Sequence, residues 1–175
     1  RLVCSAMSHI FLTVFNSKSS MVKPLVIFSL FLFVFNSSSA QNYLGSGEHG
    51  SPSVSGSVNL STLIGGTPYH EVTVDITNPS TTITVGDATG LANCDVIIIM
   101  DMATGVWERT HVKSIAGNVI TIPEITPAAT YTAASTQVIE AAQFVDLTVN
   151  TGGTLTADPF DAGTSTGGVM WIYVE

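Results

Sequence analysis

Two aspartates, Asp158 and Asp161, bracket Pro159-Phe160 in the stretch ADPFDAG. Carboxylates three apart in a Gly/Thr-rich loop can hold Ca²⁺ through oxygen ligands, or can cap turns by accepting backbone N–H groups. Turn capping is the expected use, because a loop of alternating Asp/Asn ligands is missing. Ca²⁺ at this pair is the one cofactor the sequence suggests. Trp107, Tyr131 and Trp171 could line a platform on which sugar rings stack, Trp107 and Tyr131 being the first candidates. At strand positions such aromatics more often serve packing.

The remaining reactive groups form no recognisable constellation. His49, His70 and His111 are isolated in sequence, without the paired spacing of a metal site, and are expected at the surface. Asp95, Asp101 and Glu108 lie on or beside predicted strands and are expected to face solvent. A glycosidase needs two carboxylates across a cleft, and spacing alone selects no such pair among 13 acids. The chain has no G-x-S-x-G elbow, no glycine-rich phosphate loop and no H-E-x-x-H helix motif. No catalytic residue is assigned, and a non-enzymatic role is expected.

The elements that must position these residues are strands. Val72, Val74 and Ile76 alternate with polar residues, and Thr82–Val85 follows after Asn78-Pro79-Ser80. Asp95–Met102 (DVIIIMDM) is a nearly continuous apolar run of the length of a buried central strand. Residues 106–115 and 119–122 form a hairpin around Ala116-Gly117-Asn118. Pro123–Ala134 reads as a loop. Thr136–Ala141, Phe144–Val149, Thr154–Thr156 and the terminal Gly168–Glu175 are further strands, the last apolar on both faces. No segment after residue 40 has convincing helical periodicity. The fold class is therefore all-β: a small barrel or sandwich-like domain over residues 67–143, leading into solenoid-like strands over 144–175.

Upstream, Met21–Lys23, the apolar run Leu25–Phe35 and the small residues ending at Ala40 form a secretory signal peptide, with cleavage expected before Gln41. The run is too short for a membrane span of about 20 residues. Residues 1–20, which echo FLFVFNS as FLTVFNS, read as an upstream extension. Residues 41–66 read as a flexible Gly/Ser-rich leader, with room for one short strand near Val58. Asn59-Leu60-Ser61 fits a glycosylation acceptor. Cleavage leaves Arg109 and Lys113 against 13 acids, a formal charge of −11. That charge excludes nucleic acid and anionic lipid as partners. Cys94 would be the sole remaining cysteine, so no internal disulfide forms, and a small buried residue is the expected role.

Three pieces in order carry a resemblance: ITVGDATGLANCDVIIIMDMATGVWERTHVKSIAGNVITI, TYTAASTQVIEAAQFVDLTV and GGTLTADPFDAGTSTGGVMWIYVE. The order is similar to the N-terminal head of large secreted bacterial surface proteins, gliding-motility and adhesin-like. In these a small β-domain precedes a right-handed parallel β-helix. The likeness covers Val72 to Glu175. Phe160-Asp161-Ala162-Gly163 replaces the Trp-Asn/Asp-Gly usual in that loop, and Thr164-Ser165-Thr166 intervenes before Gly167-Gly168. The resemblance implies a secreted capping module whose partner is a downstream β-helix of the same chain. The alternatives are an extracellular carbohydrate-binding or polysaccharide-degrading β-helix protein, with surface glycans as partners, and a self-sufficient β-sandwich binding domain.

Overall fold

The computed structural model describes residues 47–127 and 129–174. The predicted signal peptide, the predicted upstream extension and the first residues of the leader lie outside the described residues. Two antiparallel sheets form the larger part. In the first, β3 (Tyr69–Glu71), β9 (Thr136–Glu140), β5 (Val96–Asp101) and β6 (Trp107–His111) lie in the order β3-β9-β5-β6. In the second, β4 (Ser80–Thr84), β8 (Val119–Ile125) and β7 (Ser114–Ala116) lie in the order β4-β8-β7. The two sheets enclose one core, with Ile97, Ile99 and Val138 from the first facing Ile83, Ile120 and Ile122 from the second. The sheets do not close into a barrel, so the domain is a sandwich.

The alternation of side chains explains the apolar run in β5. Ile97 and Ile99 enter the sandwich core, while Ile98 points to the other face, against Tyr69 and Ile139. Val169 and Trp171 cover that second face. Two local expectations change. The strand predicted over Val72–Ile76 ends at Glu71, leaving only isolated bridges from Val72 to Val85 and from Ile76 to Tyr131. Conversely, β8 runs through Pro123 into the predicted loop. Pairing with β4 slips between Thr82↔Thr121 and Ser80↔Ile125, so Pro123 falls in an irregularity where no ladder amide is required.

The smaller part is built from parallel ladders. β1 (Ser53–Val54) and β2 (Ser57–Asn59) stack on β11 (Thr148–Val149) and β12 (Thr154–Thr156). Further along, β10 (Ala142–Phe144) pairs in parallel with β13 (Ile172–Val174), Ala142 opposite Ile172. Before β1, His49 N–H donates to Gln143 O, and Val145 N–H donates to Gly50 O. The chain therefore passes three times through one stack, the antiparallel sandwich being inserted between the first and second passes.

The leader segment, where described, thus carries two strands. It also carries a helical turn the sequence did not suggest, α1 (Leu60–Ile64), closed by Gly65 in the left-handed region at φ +79°. Leu60, Leu63 and Ile64 pack over Ala142, Phe144, Leu147 and Ile172. A single turn has too few residues to display a periodicity; tertiary burial makes it. Among the described residues no helix is long and apolar enough to cross a membrane.

Candidate functional site

The alternation that builds the sandwich core places two carboxylates at its end. Glu140 lies opposite Ile97 in the β9–β5 ladder and shares a face with Val138. Asp95, two residues before Ile97, follows the same phase. Both are nearly hidden, at 6% and 3% exposure. The first pass of the parallel stack brings Glu48 and His49 against this end. The His49 backbone is tied to Gln143 O, and Gln143 N–H donates back to His49 Nδ1 at 3.0 Å. The His49 ring meets Phe144 edge-on, with centroids 5.8 Å apart.

The outcome is a cleft of about 330 Å³ lined by Glu48, His49, Asp95 and Glu140, with Gly65, Gly66 and Gly90 among the residues around it. One polar side-chain atom from each of Glu48, His49 and Glu140 lies within 4.8 Å of the others. His49 Nε2 stands 3.6 Å from Glu140 Oε1, and Gln143 Nε2 donates to Glu48 Oε1 at 3.4 Å. Asp95 Oδ2 accepts the Ala92 amide. Among the described residues no lysine or arginine lines the cleft. Burial, with the charges of Asp95 and Glu48 added, pushes the Glu140 carboxyl up to about 8. Burial likewise pushes Asp95 up to about 7, against the Ala92 hydrogen bond. Two carboxyls that exchange protons near neutrality can store a proton or accept a counter-ion.

The residues singled out in the sequence go elsewhere. Trp107 on β6 is half exposed and packs on Trp171, with ring centroids 4.8 Å apart at 56°. Beside it the Arg109 guanidinium lies 5.9 Å from the Tyr173 ring and donates to Tyr173 Oη at 3.2 Å. Tyr131, the other platform candidate, is corrected: it is 3% exposed in the sandwich core, so no sugar can stack on its ring. Asp158 and Asp161 serve different partners. Asp158 accepts Ser61 Oγ at 2.9 Å, while Asp161 accepts Gly163 N–H and Thr164 Oγ1 within its own turn.

Three further expectations change. Asp95 and Asp101 are buried, not solvent-facing, Asp101 accepting the Ala103 amide of the following turn. His70 is buried as well, its Nδ1 2.7 Å from Asp87 O, and burial lowers its pKa. His49 is not isolated, because the stack carries it to Glu140. Cys94 is half buried, in the left-handed region at φ +78°. The sequence does hold a signal for the cleft: Asp95 and Glu140 stand in phase with buried isoleucine and valine on their strands. Glu48 and His49 carry no such mark.

A scan against protein-family models finds no match, and no curated protein matches. Three solved structures share partial similarity. The chain is 17% identical to the tailspike gp61 of Pseudomonas phage phi297, over 61% of this chain and 20% of that one, with a TM-score of 0.38. It is 13% identical to the Gp54 tailspike of Acinetobacter baumannii bacteriophage AP22, solved in complex with A. baumannii capsular saccharide, over 58% and 21%, with a TM-score of 0.38. It is 18% identical to the tailspike gp49 of Pseudomonas phage LKA1, over 58% and 23%, with a TM-score of 0.39. The chain spans about a fifth of the length of these tailspikes. Similarity at this level carries no weight for function, and the all-β architecture rests on the pairings described above.

Proposed function

We propose that this chain is the capping module of a secreted, β-helical surface protein of adhesin-like type, with an antiparallel sandwich inserted after the first rung. The observation that supports this reading is the parallel stack. β1 and β2 lie on β11 and β12, β10 lies on β13, and α1 sets its apolar residues over the side chains of the stack. A rung of a solenoid gains stability from the rung beside it, and its terminal core must be covered. The signal-peptide pattern ending at Ala40 supports secretion. The role of the module is mechanical: it begins a stack and blocks end-to-end association.

Removing the cover tests this. Replacing Leu60 and Leu63 together by aspartate would strip the apolar residues from α1. Light scattering of the full chain should then show self-association that the unaltered chain lacks. A variant that stays monomeric and unfolds at the original temperature would refute the capping role.

A second reading is favoured by one separate feature. The exposed indole of Trp107 beside Trp171, with Arg109 adjacent, offers an apolar face and a hydrogen-bond donor, the pairing that glycans engage. Glycan-array binding that falls at least tenfold in Trp107→Ala would favour carbohydrate recognition. An unchanged array profile would remove it.

A further inference from the structure

The cleft between the Glu48–His49 segment and the end of β9 gathers three carboxyl groups, and among the described residues no cationic Lys or Arg side chain lines it. Glu140 has a side chain 8% exposed, and among the described residues its carboxylate accepts no hydrogen bond. His49 Nε2 stands 3.6 Å from Glu140 Oε1. His49 is already engaged through its other ring nitrogen. Its Nδ1 accepts the Gln143 amide, so the ring proton of the neutral imidazole sits on Nε2, directed at Glu140. Glu48 and Asp95 add two more carboxylates, and neither lysine nor arginine lines the cleft among the described residues. A buried carboxylate without a partner is costly, and either a proton or a cation from solution relieves that cost.

We propose that this cleft binds one hard divalent cation, Ca²⁺, Mg²⁺ or Mn²⁺, through the carboxylates of Glu48 and Glu140. His49 Nε2, 3.6 Å from Glu140 Oε1, stands beside the ligating carboxylate, and Asp95 contributes charge beside the ion. Oxygen ligands stand about 2.3–2.6 Å from Ca²⁺, so two ligand atoms on one ion lie within about 5 Å of each other. The 4.8 Å limit on the Glu48, His49 and Glu140 atoms meets that condition. The tautomer of His49 selects the class of ion. An imidazole whose Nδ1 is engaged and whose Nε2 is protonated offers no lone pair, so softer ions that need nitrogen ligands are disfavoured. Glu48 precedes the first rung and Glu140 ends β9, so the ion would join the parallel stack to the inserted sandwich.

The full chain, freed of metal with a chelator, should be titrated with Ca²⁺, Mg²⁺ and Mn²⁺ at pH 8, following heat of binding and thermal unfolding. At least one ion should bind at one per chain and raise the unfolding midpoint saturably. Glu140→Gln should weaken that binding at least tenfold while keeping the far-ultraviolet spectrum of the fold. Glu48→Gln, on an exposed part of the rim, should do the same if Glu140→Gln fails to fold. Asp161→Asn should leave binding unchanged. The proposal is overturned if none of the three ions shifts the midpoint at millimolar concentration, or if the glutamine variants bind as the parent does. It is equally overturned if Zn²⁺ alone binds and His49→Gln abolishes that binding.

Discussion

The antiparallel sandwich and the parallel stack use the same residue types to different ends. The sandwich places fourteen buried apolar residues between two sheets, so each strand is held by neighbours on both sides of the core. The stack buries fewer apolar residues fully, Val54, Leu60, Ala142 and Phe144, with Leu63, Ile64, Leu147 and Ile172 partly buried against the last three. Its strands are two or three residues long and meet partners about thirty or more positions away. The sandwich therefore carries the larger core, although Val169 and Trp171 cover the outer face of its first sheet. The stack depends on its cover and on whatever fixes it to the sandwich. Long loop closures must be offset before such contacts stabilise anything.

That contrast can be broken at graded cost. Ile99→Ala opens a cavity in the sandwich centre and should cost about 4 kcal/mol, read from the denaturation midpoint of the whole chain. Phe144→Ala removes the largest side chain of the stack core and should cost about 3 kcal/mol by the same measurement. Gly153→Ala should cost about 2 kcal/mol, because the added carbon would meet Val54 O at 2.6 Å and Asn150 O at 2.9 Å, forcing the first two passes apart.

The junction between the regions should respond to pH. Glu140 and Asp95 have folded-state pKa values raised to about 8 and about 7, above those of unfolded carboxyls. Their protonated forms favour folding, so this contribution is complete below about pH 4 and is lost as pH rises through 7 to 8. In metal-free buffer the unfolding midpoint should fall by several degrees between pH 6 and 9. The double variant Asp95→Asn, Glu140→Gln should flatten that slope. The smallest effect belongs to Trp107→Ala, where half the ring is already in water. A loss of about 1 kcal/mol or less is expected in denaturant titration.

The sandwich was legible in the sequence because its strands obey simple periodicities. DVIIIMDM could be buried on both faces only in a central strand, and Ala116-Gly117-Asn118 could only be a reversal. The solenoid character of the C-terminal strands was expected, yet their first partners were not. Ser53–Asn59 has one apolar residue in each of two short strands, Val54 and Val58, too little pattern to separate a rung from a flexible leader. Its structure comes from partners more than ninety residues away. The cleft was hidden for the same reason. Charged residues on strands usually face solvent, and only the phase of Asp95 with Ile97, and of Glu140 with Val138, marks them as interior. Tyr131 misled in the opposite sense, since a tyrosine in a proline-containing loop gave no sign of reaching the core.

Native-state amide hydrogen exchange on the parent chain and on Phe144→Ala tests the two-region account most directly. In the variant, the amides of Val54, Val58 and Leu155 should lose protection together while those of Ile97–Ile99 and Val138–Ile139 keep theirs. Uniform loss across both sets would contradict the account, showing that the stack and the sandwich open as one unit.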